Sequence, residues 1–287
     1  MARLVRFWSS RIFAASILSL RCTGADSQDG SILLKDGFAF VDAIINGHGP
    51  FRMMIDTGTT TTVLAPAAAR KAGLVYDHRV LLTSMGGEKP FPATSAGELQ
   101  IGSTRATSLE IVAVPLGHVL KIDRRADGIL GHNFLGRSAY LIDYARKKLW
   151  FGEDAMRRAG ELPLILSVQQ TNGRTILPVT LQAGRPSWRL TLDSGASNLI
   201  VRCNERCPLI TDQRRDERVL ALLGERSVLA GTLRRVEIAG AKMSFVHAVL
   251  IDTELSDGQD DGVIPSHWFS AVYVDGDSGL VRLAQRR

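Results

Sequence analysis

Three cysteines in 287 residues are too few for a disulfide scaffold, so the chain has to be held by a hydrophobic core. No G-x-x-x-x-G-K-[ST] or G-x-G-x-x-G loop is present, which removes the usual glycine-rich phosphate cradles. The six histidines, at 48, 78, 118, 132, 247 and 267, are scattered, with no pair at the H-E-x-x-H spacing of a zinc site. Asp257-Gly258-Gln259-Asp260-Asp261 is acidic but lacks the calcium-loop pattern and reads as a solvated turn. No metal or cofactor is therefore expected. No apolar run approaches the roughly 20 residues that span a bilayer. What the chain does have is a 45% hydrophobic share, ordinary for a folded globular protein, and enough length for two cores.

The formal net charge of +6 invites a nucleic-acid reading until the charges are located. Arg3, Arg6, Arg11 and Arg21 lie in Met1–Ala25, which has no acidic residue, around the short apolar run Ile12–Leu20. This order, ending in Thr23-Gly24-Ala25, reads as a secretory signal over residues 1–25. Cys22 follows a poor lipobox because Arg21 is bulky and charged. Loss of the segment leaves +2, and Arg214-Arg215 and Arg234-Arg235 are isolated pairs rather than a phosphate track. Export to the periplasm or medium is expected, with no nucleic-acid partner and no stable membrane span after signal removal. In an oxidising compartment Cys203 and Cys207 are able to pair, although the sequence does not decide it.

The chain repeats itself. Gly47–Gly58 lies on Gly184–Gly195 at a distance of 137 residues, and Gly87-Glu88 lies on Gly224-Glu225 at the same distance. Asp127-Gly128-Ile129-Leu130 then matches Asp261-Gly262-Val263-Ile264, and Ser138–Asp143 matches Ser270–Asp275. Two related halves follow, at 30–160 and 165–287. Both read as β-rich: Phe38–Ile45 and Ile176–Leu181 are short apolar or alternating runs closed by turn residues, and Leu99–Ile101 and Val236–Ile238 alternate with period two. Pro66–Gly73 predicts one short helix, with proline near its start and glycine past its end.

The repeat brings two Asp-[Ser/Thr]-Gly tripeptides to matching places. Asp56-Thr57-Gly58 and Asp193-Ser194-Gly195 each follow an apolar run and precede another, and each is followed about 70 residues later by Asp-Gly and two aliphatics. A third copy, Asp277-Ser278-Gly279, has neither feature and reads as a turn between strands. The arrangement resembles the aspartic proteases of the pepsin and retropepsin type, in particular bacterial exported members with two tandem retropepsin-like halves. Met53–Gly58 with Ile129-Leu130-Gly131 matches that pattern fully. Leu190–Gly195 matches as well, but Val263-Ile264-Pro265 has proline where the family has glycine.

The resemblance implies an all-β fold of two pseudo-symmetric acid-protease β-barrel lobes with a few short helices. It implies an aspartic endopeptidase whose catalytic pair is Asp56 and Asp193, acting on a peptide or protein substrate. Two carboxyls held together share one proton and supply both the base and the acid that peptide hydrolysis needs. Gly58 and Gly195 let the loops turn tightly, the Thr57 and Ser194 hydroxyls are expected to bond across to the opposite loop, and Ile129, Leu130, Gly131, Val263, Ile264 and Pro265 are expected to buttress the loops. Thr59 is able to donate to Asp56 where Ala196 offers Asp193 nothing, so Asp56 is expected to carry more of the negative charge. Met85, Gly86 and Gly87 fall where the family places its substrate-covering hairpin, without the tyrosine of pepsin-like enzymes, and Leu223-Gly224-Glu225-Arg226 takes the matching place in the second half. A monomer with one complete site is expected. Two readings stay open beside it: a periplasmic peptide- or ligand-binding protein that keeps the cleft without turnover, and a homodimer that pairs only first-half motifs.

Overall fold

The structure, a computed structural model, describes residues 30–84, 87–168, 170–171, 173–203, 206–252 and 260–286. The expected signal segment, and Met85 and Gly86 of the expected substrate-covering hairpin, lie outside them. The fold is all-β, built as two lobes of matching sheet order on a shared sheet.

Each lobe contains an eight-stranded sheet, and the two sheets run in the same order. In the first the order is Leu33–Lys35, Phe38–Ile45, His48–Ile55, Gly128–Leu130, Thr62–Leu64, Thr104–Ala113, Gly87–Ile101 and His78–Ser84. In the second it is Gln170–Thr171, Arg174–Val179, Trp188–Asp193, Gly262–Pro265, Leu199–Arg202, Ala241–Ile251, Gly224–Ile238 and Thr211–Ala221. The correspondence reaches single residues. Ser108 and Phe245, 137 apart, both take a left-handed φ of 55° at a break in the ladder. Arg52 and Asp127 are clipped together by two backbone-anchored bonds of 2.9 and 2.8 Å, and Arg189 and Asp261 by two of 2.8 and 2.7 Å.

A six-stranded sheet joins the lobes, in the order Gly30–Ser31, Lys148–Phe151, Tyr140–Asp143, Phe269–Asp275, Leu280–Gln285 and Leu164–Ser167. At its centre Tyr140–Asp143 pairs antiparallel with the stretch that repeats it, Leu141 standing opposite Tyr273. One hydrophobic core runs through both lobes, because Ile55 and Leu130 of the first and Leu192 and Ile264 of the second are buried in a single cluster with Ile142 and Val272. The outer face of the joining sheet is covered by the helix Gly152–Ala159, whose Ala155 and Ala159 pack on Trp150, Leu141 and Tyr273. Its acidic first turn and basic last turn complement the helix dipole.

The expected helix runs Pro66–Lys71, with proline in its first turn and Gly73 beyond it at φ +67°. Asp277-Ser278-Gly279 is a turn between Phe269–Asp275 and Leu280–Gln285, where the Ser278 hydroxyl donates to Asp275 at 2.6 Å. Cys203 and Cys207 are joined by a disulfide.

Candidate active site

Asp56 and Asp193 sit just past or at the ends of equivalent strands. Each strand is zipped in parallel to the segment that crosses behind it. Met54 stands opposite Ile129 and Ile55 opposite Leu130 in the first lobe; Leu192 stands opposite Ile264 and Asp193 opposite Pro265 in the second. The Asp56 amide donates to the Leu130 carbonyl at 3.1 Å, so the ladder carries up to the carboxyl-bearing residue. The apolar residues before each aspartate are thus core strands, and the polar residues after it are the turn that leaves the core.

The two turns grip each other. The Thr57 hydroxyl donates to the Leu192 carbonyl at 2.7 Å and accepts the Ser194 amide at 3.0 Å. Reciprocally, the Ser194 hydroxyl donates to the Ile55 carbonyl at 2.8 Å and accepts the Thr57 amide at 3.0 Å. All four bonds are buried and span 135 to 139 residues, and each hydroxyl is used both as donor and as acceptor. They set the distance between the loops and with it the distance between the carboxyls.

The glycines are demanded by that closeness. A methyl carbon on Gly58 would stand 2.6 Å from the Asp193 carboxyl carbon, and one on Gly195 would stand 2.5 Å from that of Asp56. Each carboxyl therefore lies over the glycine of the opposite loop, and each is close enough to shift the other's pKa.

Their surroundings differ. Asp56 accepts three bonds of 3.0 Å, from the Gly58 and Thr59 amides on one oxygen and from the Thr59 hydroxyl on the other. Asp193 accepts the Gly195 amide at 2.7 Å and faces Ala196 where Asp56 faces Thr59. Burial raises the pKa of both carboxyls above the usual aspartate value, but the Thr59 and Gly58 bonds pull Asp56 back, while the neighbouring Asp56 charge pushes Asp193 further up. More donors thus converge on Asp56 than on Asp193, and the extra side-chain donor is Thr59, where the second loop has Ala196.

The buttress shows why proline is tolerated in one half. In the first lobe the Gly131 amide donates to the Thr62 hydroxyl at 3.2 Å, and a side chain on Gly131 would meet the Thr61 carbonyl carbon at 2.5 Å. In the second lobe the position matching Thr62 is Leu199, which has no acceptor to offer, so the amide that Pro265 lacks is not missed. The strand still reaches Pro265 in register with Asp193.

Three supports were not foreseen. Asn133 accepts from the Thr62 amide at 2.9 Å and its hydroxyl at 2.7 Å, and donates to the Glu110 carbonyl at 2.8 Å, pinning the turn after Gly58. Its counterpart in the second lobe is His267, whose imidazole burial pushes below its ordinary pKa. Tyr144 of the first lobe reaches Ser266, next to Pro265, at 2.5 Å, and burial drives the Tyr144 phenol far above its ordinary pKa. An asparagine two residues past Ile129-Leu130-Gly131 was the readable signal for the first; nothing local marks the third.

Gly87 begins its strand at φ +112° and stands opposite Ser84 in the antiparallel ladder. With Met85 and Gly86 outside the described residues, it is the one member of the expected substrate-covering set whose place is given. Among the described residues no group of histidine, cysteine, aspartate and glutamate is arranged to hold a metal ion, and no helix is long and apolar enough to cross a membrane.

Two lobes of this topology, meeting at paired Asp-[Thr/Ser]-Gly turns, define the aspartic-protease class of fold. Residues 41–134 match the family described as aspartyl protease, a stretch holding Asp56, Gly58 and the Ile129-Leu130-Gly131 buttress. The expected resemblance to aspartic proteases is supported over that first-half stretch. A solved structure to which the chain is similar, a retropepsin-like aspartic protease from Rickettsia conorii, is 21% identical; the alignment covers 38% of this chain and 77% of that one, with a TM-score of 0.29. None of the curated proteins matches this chain.

Proposed function

We propose that the chain is a single-chain aspartic endopeptidase in which Asp56 and Asp193 form one catalytic dyad. The observation that carries this reading is the reciprocal placement of each carboxyl over the other loop's glycine, inside one polypeptide. In the resting pair Asp56 is the carboxylate and Asp193 the acid. Asp56 takes a proton from water as the water oxygen bonds to the substrate carbonyl carbon, and Asp193 gives its proton to the carbonyl oxygen, yielding a neutral tetrahedral diol. As the diol collapses, Asp193 recovers a proton from one hydroxyl and Asp56 delivers its proton to the amide nitrogen. The carbon–nitrogen bond breaks and the starting protonation is restored.

Export belongs to the same proposal. The basic and apolar order of Met1–Ala25 supports it, and the Cys203–Cys207 bond suits an oxidising compartment. The test is cleavage of a mixed peptide library by purified residues 26–287, beside Asp56→Asn and Asp193→Asn. Wild-type cleavage lost in both variants is expected. Cleavage retained by either variant refutes the dyad, and a wild type that binds peptides without cutting them makes the chain a binding protein.

A further inference from the structure

We propose that Tyr144 of the first lobe is a positioning residue for Asp193 of the second: bonded to Ser266, it anchors the buttress behind the Asp193 loop and so sets how closely the two carboxyls approach. The effect on turnover rests on the dyad reading above; the effect on the spacing of the carboxyls does not.

The need for an anchor comes from what the second buttress lacks. In the first lobe the Thr62 hydroxyl accepts the Gly131 amide at 3.2 Å and donates to Asn133 at 2.7 Å, which fastens the end of the buttress to the turn after Gly58. Neither bond can form in the second lobe, where Leu199 stands for Thr62, Pro265 for Gly131 and His267 for Asn133. Leucine has no hydroxyl and proline no amide hydrogen. Pro265 leaves no donor unpaired, but the strand in register with Asp193 loses this fastening.

The other lobe supplies a replacement one residue further on. The Tyr144 and Ser266 hydroxyls are 2.5 Å apart, and Ser266 directly follows Pro265. Both side chains are buried, so neither hydroxyl can exchange its partner for water. Tyr144 stands on a fixed backbone, in the turn between Tyr140–Asp143 and Lys148–Phe151. There the Arg146 amide donates to the Asp143 carboxylate at 2.8 Å, and the Ala145 amide donates to the Ser270 carbonyl of the second lobe at 3.1 Å. A rigid side chain bonded beside the buttress transmits position to the strand it touches. Burial, with the nearby Asp193 charge adding to it, drives the phenol far above its ordinary pKa. Tyr144 therefore keeps its proton while the carboxyls titrate, and Asp193 lies within electrostatic reach of it.

The device is one-sided. Across the repeat the residues matching Tyr144 and Ser266 are Gly276 and His132. Gly276 has no side chain to reach with, and a methyl carbon on it would stand 2.9 Å from the Gln170 side-chain amide, which fills that place. Asp56 thus has its fastening within its own lobe, through Thr62 and Asn133, whereas Asp193 has one that crosses from the other lobe.

Tyr144→Phe, Ser266→Ala and the double variant test the anchor in the full mature chain. Without it Asp193 is freer to move away from Asp56, and weaker coupling between the carboxyls brings their two macroscopic pKa values together. Carbon-13 NMR titration of the aspartate carboxyls is expected to show the pair about one unit closer in each single variant. No further change is expected in the double, because both substitutions remove the same bond. On a quenched fluorescent peptide kcat is expected to fall about tenfold with KM changed by less than about twofold, and the pH profile to narrow from both sides. Carboxyl titration unchanged in the single variants overturns the proposal, even if activity falls, because lost packing alone explains that fall. Effects that add in the double variant overturn it as well. Should Tyr144→Phe fail to fold, Ser266→Ala removes the same bond, keeps the ring and decides the matter. If the wild type cleaves no peptide, the protease reading fails, and the NMR titration alone decides whether Tyr144 sets the carboxyl spacing.

Discussion

Thr59→Ala probes the asymmetry of the carboxyl pair without touching either carboxyl. The substitution removes one of the three hydrogen bonds that Asp56 accepts, the 3.0 Å bond from the Thr59 hydroxyl, and leaves both backbone amides in place. A hydrogen bond to a charged group contributes about 1.5 to 3 kcal/mol, and the lower end applies because Asp56 is half-buried at the cleft. About 1.5 kcal/mol corresponds to about one pH unit. The lost bond favoured the carboxylate, so the acid limb of the kcat/KM profile is expected to move up by about one unit, with the alkaline limb nearly unchanged. The assay is the pH profile of kcat/KM on a quenched fluorescent peptide, with folding checked at every pH. Ala196→Thr supplies the missing donor to Asp193 and is expected to draw the alkaline limb down instead. If both substitutions move the same limb, or Thr59→Ala moves neither, the charge is not biased towards Asp56 and the argument is wrong.

Asp193→Asn addresses stability. A carboxyl whose folded pKa is raised binds its proton more tightly in the folded chain, so wild-type stability is expected to fall as pH rises from the ordinary aspartate value of 3.8 through the raised one. The asparagine variant should lack most of that fall and exceed wild type in urea resistance at pH 7, the gap closing in acid; a gap that widens in acid contradicts the shift. Thr57→Ala removes a buried hydroxyl that serves two bonds and leaves the Leu192 carbonyl and Ser194 amide unpaired. A loss of about 2 to 4 kcal/mol in urea unfolding is expected, most of it recovered by Thr57→Ser. Gly131→Ala is expected to cost about 1 to 3 kcal/mol because its methyl group meets the Thr61 backbone, whereas Pro265→Gly changes stability by less than about 1 kcal/mol; equal effects would remove the explanation of the glycine–proline difference.

Much of the site was legible before any coordinates. Asp56-Thr57-Gly58 and Asp193-Ser194-Gly195 stood out because an apolar strand must stop where a polar turn begins, and that change is written locally. Phe38–Ile45 was legible for the same reason, as an apolar run ended by Asn46-Gly47. The expected strand Ile176–Leu181 proved to be Arg174–Val179, since pairing with Trp188–Asp193 rather than apolar content sets where the ladder stops. The helix Gly152–Ala159 was not anticipated individually. Only Ala155 and Ala159 mark its buried face, and eight residues give periodicity little room.

What stayed hidden depends on contacts between residues far apart in the chain. Tyr144 and Ser266 are 122 positions from one another, and neither lies in a motif. Pro265 looked like damage to the second buttress until its partner strand showed Leu199 where the first half has Thr62. Leu223 read as part of a matching hairpin, with no hint that it lands on the other lobe.

The sequence by itself determined that the chain is two copies of one β-rich unit, each ending an apolar strand in an aspartate, because repetition and hydrophobic patterning are local properties. Only the tertiary structure decided that each carboxyl lies over the other loop's glycine, that the two loops exchange four buried hydrogen bonds, and that one hairpin reaches across to the other lobe. Each of these is a matter of distance between residues more than a hundred positions apart, or of how many donors converge on one oxygen. Both depend on how the core brings the strands together.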